Sequence, residues 1–91
     1  MPYILEEERK IYRPLIRTLI QTVKDETRDD SDKLGPVNYI ITSVLLGVFH
    51  KRRYFTFVLV LGTLFCVALE YYRRRVAKYE DEKIKENGDV Y

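Results

Sequence analysis

Apolar residues follow two different patterns along this chain. The first is a stripe at helical spacing. Leu15, Ile16, Leu19, Ile20 and Val23 recur three and four apart, with Arg17, Thr18, Gln21 and Lys24 between them, which predicts an amphipathic helix. Pro14 suits a first helical turn, where its missing N–H would have no partner, so this helix is predicted over about 14–28. Val37, Ile40, Ile41, Val44, Leu45 and Val48 form a second stripe, predicted over about 36–49 with Pro36 in the same starting role. The segment Asp25 to Lys33 between them has no apolar residue and Gly35-Pro36 follows it, so it reads as a solvated connection. Residues 1–13 read as a lead-in with a turn or two of helix at most.

The second pattern is a block. From Phe55 to Leu69 no residue is charged, and Lys51-Arg52-Arg53 and Arg73-Arg74-Arg75 stand on either side. Tyr54 to Leu61 is rich in aromatic and β-branched residues and would pass for a strand. The apolar run nevertheless continues past strand length, and Leu64 to Glu70 suits a helix better. Tyr72, Val76, Tyr79 and Lys83 then recur at helical spacing. One long helix is predicted over about 54–85, stopped by Asn87-Gly88. The short link before it predicts a hairpin of the second and third helices. The fold class is therefore all-α, with three helices and the long third helix at the centre.

Length then changes the picture. A chain of 91 residues is one small domain, and a chain this size buries only about 60–65% of its unfolded surface. Three thin helices cannot cover a segment that is apolar all round, so the bundle is expected to be completed by self-association. The expected interface is Phe57, Leu61, Leu64, Phe65 and Leu69.

Charge is segregated. The net +2 divides into −1 over residues 1–35, +6 over 36–78 and −3 over 79–91. A basic middle between acidic ends points to internal or intersubunit pairing before it points to nucleic acid. The aromatic and cationic clusters Lys51-Arg52-Arg53-Tyr54 and Tyr71-Tyr72-Arg73-Arg74-Arg75 do suit phosphate contact and base stacking. They lie about 30 Å apart along one helix, so a single patch would need an antiparallel second copy. Nucleic acid is kept as an alternative partner.

Catalytic chemistry has little to assemble from. There is one histidine, His50, one cysteine, Cys66, and two serines, Ser31 and Ser43. Phosphate-loop, nucleophile-elbow and metal-ligand spacings are not found, so no enzyme, metal or cofactor is expected. Cys66 among Leu64, Phe65 and Val67 reads as a small buried filler, kept unreactive by its apolar surroundings. A single cysteine and an acidic, polar N-terminus fit a cytoplasmic setting. A membrane location is the alternative. The nineteen residues 54–72 would span about 28 Å as a helix, with tyrosines and arginines at both edges. The uncharged run is nevertheless short, Glu70 lies inside the span, and basic flanks on both sides favour no orientation.

Met1-Pro2-Tyr3-Ile4 and the ending Tyr79-Glu80-Asp81 through Glu86-Asn87-Gly88-Asp89-Val90-Tyr91 resemble the ends of a family of short phage and prokaryotic proteins filed under a domain of unknown function. Pro14-Leu15-Ile16, Asn38-Tyr39-Ile40-Ile41-Thr42, Leu69-Glu70 and Tyr72-Arg73-Arg74 are similar to its pattern as well. Phe65 and Ala68 depart from it where charged residues are usual, and Lys78 where proline is usual. The resemblance implies a soluble all-helical protein and brings no activity with it. Phage relatives suggest a host-directed inhibitor or a sponge for a small anionic, nucleotide-like ligand. The expected function is thus non-enzymatic binding, with the protein itself, a host protein or a small anionic ligand as partners. Asn38, Tyr39, Thr42, Arg73, Arg74 and Tyr79 are the candidate binding residues. Capping, core-edge packing and intersubunit ion pairing are their plainer roles.

Overall fold

The computed structural model describes residues 3–91, and Met1 and Pro2 of the expected lead-in lie outside them. The described residues form three helices: α1 over Glu6–Glu26, α2 over Asp30–Val48 and α3 over Tyr54–Asn87. They contain no strand, so the all-α expectation holds. The chain divides into two compact units, residues 1–50 with α1 and α2, and residues 51–91 with α3.

In the first unit both helices begin earlier than expected, and for related reasons. Helix α1 opens on Glu6, Glu7 and Glu8, whose charges complement the positive helix end. The Glu8 carboxylate accepts the Leu5 backbone N–H at 2.9 Å. Arg13 reaches back along the helix to Glu6 through two bonds of 2.7 and 2.9 Å. Seven residues bring a helix nearly back to the same face, so this fork clamps the first two turns. Pro14 therefore sits inside the helix, and residues 6–13 belong to α1 instead of a lead-in.

Asp29 does the same for α2. Its carboxylate accepts the Asp32 N–H at 3.1 Å and the Ser31 hydroxyl at 2.6 Å. The Asp32 carboxylate returns the bond to the Asp29 N–H at 3.4 Å, which completes a capping box. The expected solvated connection is thus reduced to Thr27–Asp29, and Gly35-Pro36 lies within α2. Thr27 closes α1 by donating to the Val23 carbonyl at 2.6 Å.

Helices α1 and α2 meet along a groove lined by Leu19, Ile20, Val23, Val37, Ile40 and Ile41, with Lys24 and Lys33 also on its wall. The hairpin described here joins the first and second helices, whereas the sequence predicted one between the second and third. Three residues, Thr27 to Asp29, separate α1 from α2, which leaves an antiparallel neighbour as the natural packing partner.

In the second unit α3 is continuous for 34 residues. Gly88 stops it, adopting a φ of +84° and donating its N–H to the Ile84 carbonyl at 2.8 Å. A residue with a Cβ would be strained in that conformation. The helix is regular except over Tyr72–Val76, a π-helical turn.

No apolar side chain is buried among the described residues, and Thr56 is the one buried residue. Cys66 is exposed, not the buried filler the sequence suggested. The apolar block of α3 is uncovered, with Phe65 at 72% and Leu61 at 59% exposure. The groove residues of α1 and α2 are at least partly exposed as well.

Candidate functional site

The π-turn builds the most featured site of the second unit. The Ala77 N–H bonds to the Tyr72 carbonyl, five residues back, so the turn holds one more residue than an α-helical turn. That extra residue shifts everything after it by about 100° around the axis. Its effect is visible in the Tyr72 hydroxyl, which donates to the Glu80 carboxylate eight positions on. In a regular helix residues eight apart are about 80° out of line, and the inserted residue removes that offset. The Glu80 carboxylate, as acceptor and nearby charge, pushes the Tyr72 phenol above its ordinary range.

Three arginines, Arg73, Arg74 and Arg75, fall inside this turn. Glu70, half-buried, takes two of them. Its carboxylate accepts from Arg73 Nη2 at 3.0 and 3.1 Å and from Arg74 Nε at 2.8 Å. One carboxylate against two guanidiniums leaves a net positive charge on this turn, to which Arg75 adds. Ion pairs this exposed contribute only about 0–1 kcal/mol each. Their consequence is geometric: they hold two guanidiniums side by side on the helix, with Glu70 taking Nε and Nη2 of Arg73 and Nε of Arg74.

Tyr79, the remaining candidate on α3, is exposed, and the Lys83 ammonium sits 5.4 Å from its ring centre. A shallow hollow of about 380 Å³ lies beside it, lined by Tyr72, Glu80, Asp81, Ile84 and the tail residues Asp89 to Tyr91 among others. Arg73 and Arg74 are therefore brought together by Glu70, while Tyr79 is engaged with Lys83. Glu70 upstream pairs with both arginines within the chain because it lies three and four positions away on the same face.

On α2 the Thr42 hydroxyl donates to the Asn38 side-chain oxygen at 3.3 Å. Tyr39 beside them is 74% exposed. These three belong to the first unit and the arginines to the second. Of the expected interface residues, Phe57, Leu61, Phe65 and Leu69 are exposed and Leu64 is half-buried.

Sequence reasoning missed Tyr72 and Glu80 as a pair, because eight-residue spacing carries no signal until a π-turn is known. It also missed the role of Glu70, for which the three- and four-residue spacing to Arg73 and Arg74 was a usable signal. Residues 1–90 match a protein family described as a domain of unknown function, DUF6899. No curated protein and no solved structure matches the chain.

Proposed function

We propose that this chain, which belongs to the DUF6899 family, is a non-enzymatic helical binding protein that associates with copies of itself and takes a small anionic ligand at the arginine turn of α3. The observation that carries the reading is where the uncovered apolar surface lies. It occupies both units: the block of α3 in one, and the Leu19, Ile20, Val37 and Ile41 groove in the other. Exposed apolar surface on this scale is what interfaces are made from. A second copy presents the same two surfaces and has the chemistry to cover both. The ligand part of the reading rests on Arg73, Arg74 and Arg75 grouped in one turn, two of them held in place by Glu70.

A single membrane span is the competing reading, favoured by one observation. Helix α3 is long and apolar enough to cross a bilayer, and almost none of its apolar window is buried. One feature weighs against it. The uncharged stretch Tyr54–Leu69 is about 24 Å long as a helix, short of a hydrocarbon core of about 30 Å.

Expression without detergent, followed by light scattering and native mass spectrometry, tests the proposal. The expected result is a soluble oligomer that binds a nucleoside triphosphate, with Arg73→Ala and Arg74→Ala together weakening binding by roughly tenfold or more. A soluble monomer, or a protein recovered only from membranes with detergent, would refute self-association in solution. An oligomer whose triphosphate binding ignores the arginine substitutions would refute the ligand site.

A further inference from the structure

We infer that two copies of this chain pair antiparallel along α3 in one register, with the basic segment Lys51-Arg52-Arg53 of each copy against the acidic segment Glu80-Asp81-Glu82 of the other. This rests on the self-association proposed above and adds to it the occupant, the orientation and the register.

The argument begins with the apolar surface of α3. At about 100° per residue, Phe57, Leu61, Leu64, Phe65, Ala68 and Tyr72 fall within an arc of about 100°. A regular helix would carry Val76 and Glu80 away from this stripe. The residue added by the π-turn Tyr72–Val76 returns them to it, and the Tyr72–Glu80 hydrogen bond reports the same alignment. Cys66 lies on the opposite side, and the three arginines of the turn fall off the stripe between Tyr72 and Val76.

The lengthened stripe is close to symmetric about a point between Cys66 and Val67. Turning one copy end for end about that point sets Phe57 opposite Val76, Leu61 opposite Tyr72 and Phe65 opposite Ala68. Large faces small at the first and last of these pairs, which lets the side chains interleave. The same operation carries Lys51-Arg52-Arg53, which lead into α3 in non-helical backbone, to the end of the other helix that bears Glu80-Asp81-Glu82, with Arg53 opposite Glu80. Among the described residues none of these six takes part in an ion pair within its own chain.

Two other arrangements oppose like charges. Pairing in parallel and in register sets the basic segment beside its own copy and the acidic segment beside its own. Antiparallel pairing centred on the apolar block, between Gly62 and Thr63, sets Lys51 and Arg52 opposite Arg74 and Arg73. Of these three arrangements, the register about Cys66 and Val67 is the one that joins matched stripes to opposite charges, and it also opposes the two helix dipoles.

Charge reversal tests the register. One variant carries Lys51→Glu, Arg52→Glu and Arg53→Glu, a second carries Glu80→Lys, Asp81→Lys and Glu82→Lys, and a third carries all six. Self-association is read by sedimentation at low salt, with circular dichroism over the same concentrations, where helix content should follow association. Each triple variant is expected to associate at least roughly tenfold more weakly than the natural chain, since every end of its dimer becomes like-charged. The sixfold variant is expected to regain association, and the two triple variants to form a mixed dimer. A natural chain that associates while both triple variants match it would overturn the register and leave self-association standing. So would a sixfold variant that stays as weak as the triples. A natural chain that is monomeric would overturn both.

Discussion

Leu61 offers the most direct measure of how much the uncovered stripe contributes. It is 59% exposed in the single chain, so a second copy can bury more than half of its surface. Leu61→Ala removes three carbons, and at about 0.8 kcal/mol per buried methylene a full burial would be worth about 2.4 kcal/mol. Scaling by the exposed share gives roughly 1.4 kcal/mol per site, and a symmetric dimer contains the site twice, so the loss is about 2.8 kcal/mol. At about 1.4 kcal/mol per factor of ten, the dissociation constant should rise on the order of 100-fold. Alanine keeps the intrinsic helix propensity high, so any loss of helix follows from lost association. Sedimentation velocity over a concentration series reads the change. Cys66→Ala, on the opposite side of α3, is the control and should leave association unchanged. If Leu61→Ala associates as tightly as the natural chain, the stripe through Phe57, Leu61 and Leu64 is not the interface.

Two further predictions concern single hydrogen bonds. Bonds from the Ser31 hydroxyl and then the Asp32 N–H hold the Asp29 carboxyl below its ordinary range, so its contribution is present above the ordinary carboxylate range and is lost as pH falls through the lowered value. Asp29→Ala should lower the thermal unfolding temperature by several degrees at neutral pH, and the gap from the natural chain should close in acid. For Tyr72 the sign is reversed: its phenol is raised by Glu80, so the contribution is complete below pH 10 and lost as pH rises through the raised value. Tyr72→Phe should remove a tyrosine that titrates above its ordinary range from an ultraviolet pH titration, and an unchanged high-pH limb would contradict the Tyr72–Glu80 bond.

The long helix was legible because the apolar block exceeds strand length and Asn87-Gly88 supplies a stop that needs a positive φ. The starts of α1 and α2 were not. Both were placed at prolines, because proline costs about 3 kcal/mol inside a helix and nothing in its first turn. That weighing left out the stronger signals upstream. Glu6-Glu7-Glu8 with Arg13 seven residues from Glu6, and Asp29 three residues from Asp32, are start signals written in the sequence. The π-turn was not legible, since nothing in Tyr72-Arg73-Arg74-Arg75-Val76 distinguishes a five-residue turn from an α-helical one. The candidate site suffered accordingly: its arginines were named, while the carboxylate that orients them and the tyrosine that marks the realigned face were not.

The ion pairs of Glu6, Glu7, Asp30, Glu70 and Glu86 each lie within a single helix. Such contacts set where a helix starts and how its surface is charged, but in proteins most of a helix's stability comes from packing of its apolar face. No apolar side chain is buried among the described residues, and in the proposed dimer the packing comes from a second copy. Under self-association, folding and assembly become one equilibrium, and stability depends on protein concentration. The exposed stripe is then the missing half of the core, and the charges at its two ends decide which way round the other half is fitted. On this view a substitution such as Leu61→Ala acts on helix content as well as on subunit count, and the two should fall together as the protein is diluted.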